Sequence, residues 1–249
     1  MSFHKTGRPL VWAHRGGSGC APENTLASFK YAVESGADGV ELDVQMTKDK
    51  KIVVIHDETV NRTGEGKGWV KDYTFDELRR INFNKKFPEY GVCRIPLLSE
   101  VFELLYPTRL TVNVELKTGI IFYEGLEEKV VELVREMDMK DRVLYSSFNH
   151  YSLEKLRALD PDAYLGFLYA DGHIGMPAYC KAHGGNALHP ALYNIQYPGF
   201  MKEAAENGLD VNVWTVNERS HIEMCAKAGV NAIISDYPGR VLDIVGRMA

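Results

Sequence analysis

Residues 10–36 read LVWAHRGGSGCAPENTLASFKYAVESG. The first six are apolar or aromatic up to His14 and Arg15, and they read as a strand over 10–15. A loop rich in glycine and proline follows. Beyond it Leu26, Phe29, Ala32 and Val33 recur at helical spacing, with Asn24 or Thr25 able to cap the start and Gly36 the end. This is one strand–loop–helix unit, and the chain repeats it. Further strands are expected at 39–46 (GVELDVQM), 110–117 (LTVNVELK), 143–148 (VLYSSF), 164–169 (YLGFLY), 187–191 (ALHPA), 210–216 (DVNVWTV) and 232–236 (AIISD). Helical patterns such as GLEEKVVELVREM, YSLEKLRALD, YPGFMKEAAENG and ERSHIEMCAKAG lie between them, and PGRVLDIVGRM follows the last. Eight such units in 249 residues match a closed (β/α)8 barrel, a fold that typically takes about 250 residues as one domain. An open doubly wound sheet is the second choice, because it usually has fewer strands.

Residues 58–94 break the rhythm, since a βα connection usually runs only about 2–6 residues. IVVIHD (52–57) just before them reads as an extra short strand, and TFDELRRI (74–81) as a short helix. Trp69, Tyr73, Phe75, Phe83, Phe87 and Tyr90 give the stretch enough apolar surface to fold. It is either a lid or specificity subdomain inserted after the second barrel strand, or a surface excursion with its own small core.

A net charge of −5 and a pI near 5.9 argue against a general nucleic-acid binder. The four cysteines are scattered with no CxxC or CxH spacing, which suits a reducing compartment. The apolar run near the N-terminus is too short for a signal-peptide core, and nothing approaches the ~20 apolar residues of a membrane span. The expectation is a cytoplasmic protein with no stable membrane insertion; a homo-oligomer is compatible with this sequence.

A barrel carries its chemistry at the carboxyl ends of its strands. Glu41 and Asp43 lie two apart in GVELDVQM, so they share one face at about 7 Å spacing. Glu115 and Lys117 repeat that arrangement in LTVNVELK. Carboxylates are costly to bury alone, and an all-oxygen set favours Mg²⁺, Ca²⁺ or Mn²⁺ over zinc. Of eight histidines, His14 and His56 each end an apolar run at the face where a site belongs. They suit paired acid and base work, and His189 is a weaker candidate for the pocket wall. Arg15 offers a planar fork for phosphate oxygens and Lys117 a point charge. Arg15 has the opposite strand parity to His14, so the chain must leave strand geometry there, which Gly16 and Gly17 permit. Three carboxylates, a divalent cation and two cationic side chains leave one formal positive charge, which complements a phosphodiester.

These residues sit in a pattern that resembles the glycerophosphodiester phosphodiesterases. The matching segments are HRG (14–16), PENT (22–25), ELDVQMTKD (41–49), HDETVNRTGEGKG (56–68), IPLLSEV (95–101), VELK (114–117), SFN (147–149), VWTVN (213–217) and SDYP (235–238). The resemblance implies a (β/α)8 barrel with an insertion after the second strand, and one divalent cation, Ca²⁺ or Mg²⁺. By position Glu41, Asp43 and Glu115 match metal ligands, His14 and His56 the acid/base pair, and Arg15 and Lys117 residues near the phosphate. Trp214 matches an aromatic lining the glycerol pocket. Glu23 and Asn24 also fall in the family pattern but read more simply as cap and loop-bracing residues. The chain departs from the pattern where ISDYP lacks a common threonine and where ALHP holds His189. The implied reaction cleaves a small glycerophosphodiester to glycerol 3-phosphate and an alcohol. Its nucleophile is either the glycerol 2-hydroxyl or water. The same chemistry on a lipid diester, as in a lysophospholipase D, is the alternative. A metal-dependent isomerase or aldolase, or a non-catalytic binding barrel, explains fewer of these residues.

Overall fold

Parallel strands close into a barrel only if the first strand pairs on both sides. In the computed structural model, which describes residue 3 and residues 7–248, β1 (Leu10–Ala13) pairs in parallel with β2 (Gly39–Met46) and with β9 (Ala232–Ser235). The ring continues through β4 (Thr111–Leu116), β5 (Val143–Ser147), β6 (Leu165–Tyr169), β7 (Ala187–Pro190) and β8 (Asp210–Val213). It is the expected closed eight-stranded parallel barrel. The extra strand β3 (Ile52–Val54) runs antiparallel to β2 on the outside of the ring. His4 lies outside the described residues.

Helices α1 (Leu26–Glu34), α2 (Phe75–Leu78), α3 (Leu98–Leu105) and α4 (Leu126–Glu136) occupy the first half. The second half holds α5 (His150–Leu159), α6 (Met176–Ala182), α7 (Phe200–Glu206), α8 (Arg219–Ala228) and α9 (Pro238–Gly246). Thr25 caps α1 through a reciprocal pair with Ser28, and Gly36 takes a left-handed φ of 74° just past its end. The repeat of strand and helix calls for a helix between β6 and β7, where α6 lies; Pro177 falls in its first turn, where the missing N–H costs nothing.

Alternation along the strands divides the chemistry. Val40, Leu42 and Val44 of β2 and Val112, Val114 and Leu116 of β4 join the main apolar layer beneath the helices. The alternate residues face the barrel axis. Trp12, Leu144, Ala232 and Ile234 fill the interior, with Leu10 and Tyr164 at its floor. Above that plug the inward positions turn polar. The segment after β3 packs against that strand in a separate core of Val53, Ile55, Val60, Val70, Leu78, Phe83 and Ile95. Several strands stop earlier than expected. β1 ends at Ala13 because Arg15, Gly16 and Gly17 take φ values of 50°, 82° and 104°, which no strand can continue.

Candidate functional site

The register of β2 against β4 assembles an acidic cluster. Glu41 stands opposite Asn113 and Asp43 opposite Glu115, so all three carboxylates share the inward face, Glu41 from one layer below the other two. One oxygen from each of Glu41, Asp43 and Glu115 lies within 4.8 Å of the other two, and all three residues are buried. At that spacing two ionised carboxylates repel by about 3 kcal/mol even at an effective dielectric of ~20. Burial, then repulsion from Asp43 and Glu115, raises Glu41 well above the ordinary carboxylate range. Burial raises Glu115 as well, against the pull of Lys117. Asp43 is also penalised by burial, but Arg15, His56 and Lys117 outweigh that and hold it at about 2. Its Oδ1 is buried without a hydrogen-bond partner. A hard divalent cation bonded to oxygens at about 2.1–2.6 Å would satisfy that orphan and remove the repulsion. The donor set fits such an ion.

The two histidines reach this cluster from different elements. His14 opens a short 3-10 turn directly after β1, and its Nδ1 lies 2.6 Å from Asp236 Oδ1 beyond β9. Its Nε2 lies 3.9 Å from Glu41 Oε2. His56 follows β3, with Nδ1 2.7 Å from Asp57 Oδ1 and Nε2 3.2 Å from Lys117 Nζ. Each ring thus has a carboxylate behind Nδ1, and Nε2 is turned toward the cluster. Asp57 and Asp236 are held well below the usual range: burial opposes this, but hydrogen bonds from the histidines and from Arg62 or Ser18 prevail. Asn217 Nδ2 donates to the other Asp236 oxygen at 2.7 Å.

Arg15 takes the left-handed turn that the parity argument requires. Its backbone N–H donates to Glu41 Oε2 at 3.0 Å, Nη1 to Glu23 Oε1 at 2.8 Å, and Nε stands 3.5 Å from Asp43 Oδ2. Lys117 Nζ donates to Glu115 at 2.9 Å. Asn24 donates to Asp43 Oδ2 at 2.8 Å, so it orients a candidate ligand as well as bracing a loop. Trp214, directly after β8, stands edge-on to Phe148 with ring centroids 5.5 Å apart, and its Nε1 donates to His189 O.

His189 is not part of the pocket wall. It is wholly buried in the barrel, accepts from Asn212 Nδ2 at 2.9 Å, and burial lowers its pKa to about 3. A Cβ at Gly166 would collide with its ring, so close packing explains that glycine. Sequence reasoning passes over Asp57, Asp236 and Arg62. The first two carry a signal in the HD and SDYP segments, but the pairing of His14 with Asp236 joins residues 222 apart. The two aspartates also change the charge tally. With a divalent cation and neutral imidazoles the site becomes formally −1, and one protonated histidine returns it to neutrality.

Residues 14–240 match the sequence profile of the glycerophosphoryl diester phosphodiesterase family. A glycerophosphodiester phosphodiesterase of Caldanaerobacter subterraneus subsp. tengcongensis is 44% identical over 96% of this chain and 98% of its own length. One from Bacillus altitudinis is 42% identical over 94% of this chain and 97% of its own length. The fold superposes with a TM-score of 0.85 on an Oleispira antarctica phosphodiesterase solved with the product sn-glycerol-3-phosphate, at 30% identity, covering 96% of this chain and 97% of that one. Profile, relatives and barrel agree, and the chain belongs to the glycerophosphodiester phosphodiesterase family, enzymes that hydrolyse phosphoric diesters.

Proposed function

We propose that this enzyme hydrolyses small glycerophosphodiesters to glycerol 3-phosphate and an alcohol, with one divalent cation held by Glu41, Asp43 and Glu115. The observation that carries the reading is the convergence of three buried carboxylates between His14 and His56. The cation would be Mg²⁺, Ca²⁺ or Mn²⁺, and when bound it supplies positive charge beside the phosphoryl oxygens. Arg15 and Lys117 add donors to the same oxygens and stabilise charge that builds during cleavage. Asp57 and Asp236 keep a proton on Nδ1 of His56 and His14. Each Nε2 is then available, one ring to take the proton of the nucleophile and the other to return a proton to the leaving alkoxide. Trp214 lines the side where glycerol sits. Residues 58–94 form an insertion subdomain on a single barrel domain, a reading supported by the separate apolar core that Val60, Val70, Leu78 and Phe83 build with the flanking Val53, Ile55 and Ile95.

A cytoplasmic location belongs to the same proposal, supported by the four free cysteines Cys20, Cys93, Cys180 and Cys225. Among the described residues no helix is long and apolar enough to cross a membrane. A second reading, lysophospholipase D-like cleavage in which the glycerol carries an acyl chain, is favoured by one observation. Ile120, Phe122, Phe148, Tyr151 and Ile174 are exposed on segments that follow β4, β5 and β6 at the carboxyl end of the barrel.

A coupled glycerol-3-phosphate assay, run beside a choline-release assay for lysophosphatidylcholine (whose cleavage gives lysophosphatidate and choline), separates these readings. It compares glycerophosphocholine, glycerophosphoethanolamine, glycerophosphoglycerol, glycerophosphoinositol and lysophosphatidylcholine, with EDTA and then metal add-back. Release from the small diesters, lost in EDTA and restored by the cation, supports the main reading. Cleavage of the acylated substrate alone selects the second, and release unaffected by EDTA contradicts the ligand assignment.

A further inference from the structure

Two catalytic-site residues lean on the same guanidinium. Arg62, in the segment after β3, donates from Nη1 to Glu23 Oε2 at 2.6 Å and from Nη2 to Glu23 Oε1 at 2.9 Å. Its other edge serves Asp57, with Nε 2.8 Å from Oδ2 and Nη2 2.9 Å from Oδ1. Glu23 in turn accepts from Arg15 at 2.8 Å, and Asp57 pairs with His56 at 2.7 Å. The result is an unbroken chain of charged groups, Arg15–Glu23–Arg62–Asp57–His56, whose two ends are residues assigned above to phosphate and proton transfer.

An exposed ion pair ordinarily contributes little, and the Arg62 side chain is 47% exposed. Three features set this one apart. Both contacts are two-pronged, which fixes orientation as well as distance. The Glu23 side chain is only 11% exposed, so one end of the clamp is anchored in protein. The fork also ties the HRG–PENT loop to the loop bearing His56. Arg15 sits at a φ of 50°, an uncommon value for a residue with a side chain, so its placement depends on such external bracing.

The structure assigns Arg62 as a positioning residue that sets His56, through Asp57, and Arg15, through Glu23, in one fixed relation to each other. This rests on the reaction proposed above. Lysine cannot replace it, because one ammonium cannot form two coplanar forks.

The test uses the full chain with saturating Mg²⁺ or Ca²⁺ and glycerophosphocholine, or whichever small diester the wild type cleaves. Arg62→Ala and Arg62→Lys are compared with Arg79→Ala, which breaks an ion pair with Glu100 away from the histidines. We expect kcat to fall about 10–100-fold in both Arg62 variants, the scale of a small misplacement of reacting groups. Arg79→Ala keeps wild-type kcat. Millimolar guanidinium partly restores Arg62→Ala, while ammonium at equal ionic strength does not; a merely structural loss would respond to neither. Should Arg62→Ala melt below the assay temperature, the kcat of Arg62→Lys alone decides between the two outcomes. Wild-type kcat in the Arg62 variants, or a loss that guanidinium leaves untouched, overturns the assignment. If the wild type releases no glycerol 3-phosphate from any small diester, it is the proposed reaction that fails.

Discussion

His14 Nδ1 lies 2.6 Å from Asp236 Oδ1, although the two residues stand at opposite ends of the chain. Closure of β1 against β9 is what brings them together. Asp236 also accepts from Ser18 and Asn217, so it is anchored on both oxygens and holds the ring rather than following it. Asp236→Asn keeps the shape but can present an amide to Nδ1 and allow the wrong tautomer. We expect kcat to fall about 10²-fold or more, with KM changed far less. Steady-state kinetics at saturating cation measures this, and an unchanged kcat separates His14 from proton transfer.

The imidazoles themselves give the sharper loss. His14→Ala and His56→Ala should each cut turnover by about 10²–10⁴-fold while circular dichroism and melting temperature stay near wild type. Both rings are partly exposed at the mouth, so their removal leaves no sealed cavity. Near-wild-type turnover in either variant removes that residue from the mechanism.

The acidic cluster makes a prediction about stability as well as rate. Without a cation, Glu115→Gln removes one of three mutually repelling carboxylates, so the metal-free variant should melt at or above the metal-free wild type. With cation present the order reverses, because the wild type gains binding free energy that the variant lacks. Differential scanning fluorimetry in EDTA and in millimolar Mg²⁺ or Ca²⁺ reads both. A wild type whose melting temperature ignores every divalent cation contradicts the proposed ligand set.

His189 predicts an acid sensitivity unrelated to catalysis. Its pKa falls to about 3 in the fold because burial disfavours the imidazolium, against about 6.5 in the unfolded chain. The unfolded state therefore binds the extra proton first. The contribution to stability is intact above pH ~6.5 and is lost progressively as pH falls toward 3, at up to about 1.4 kcal/mol per pH unit. In His189→Gln, urea melts should show a shallower decline between pH 6.5 and 4, whatever the stability at pH 8. An equally steep decline assigns the acid sensitivity to other groups.

Much of this architecture is legible in the sequence because the barrel writes its layers as alternation. GVELDVQM buries Val40, Leu42 and Val44 on one side and aims Glu41 and Asp43 to the other, so strand, face and candidate ligands come from one reading. The strand ends are less legible, since Trp214 and Arg15 belong by composition to strands whose backbone turns away before reaching them. Contacts between distant segments leave no local trace. Arg62 carries no signal in the sequence, and only the fold sets it between Glu23 and Asp57. His189 ends an apolar stretch as His14 does; only the closed barrel shows one sealed inside and the other at the mouth.

Titration of metal-stripped enzyme with a single divalent cation, followed by both calorimetry and glycerol-3-phosphate release, bears most directly on the central claim. We expect one binding site per chain, activity that rises in step with its occupancy, and loss of both signals in Asp43→Asn. Full turnover in the stripped enzyme, or binding that survives in Asp43→Asn with unchanged affinity, would contradict a catalytic cation on Glu41, Asp43 and Glu115.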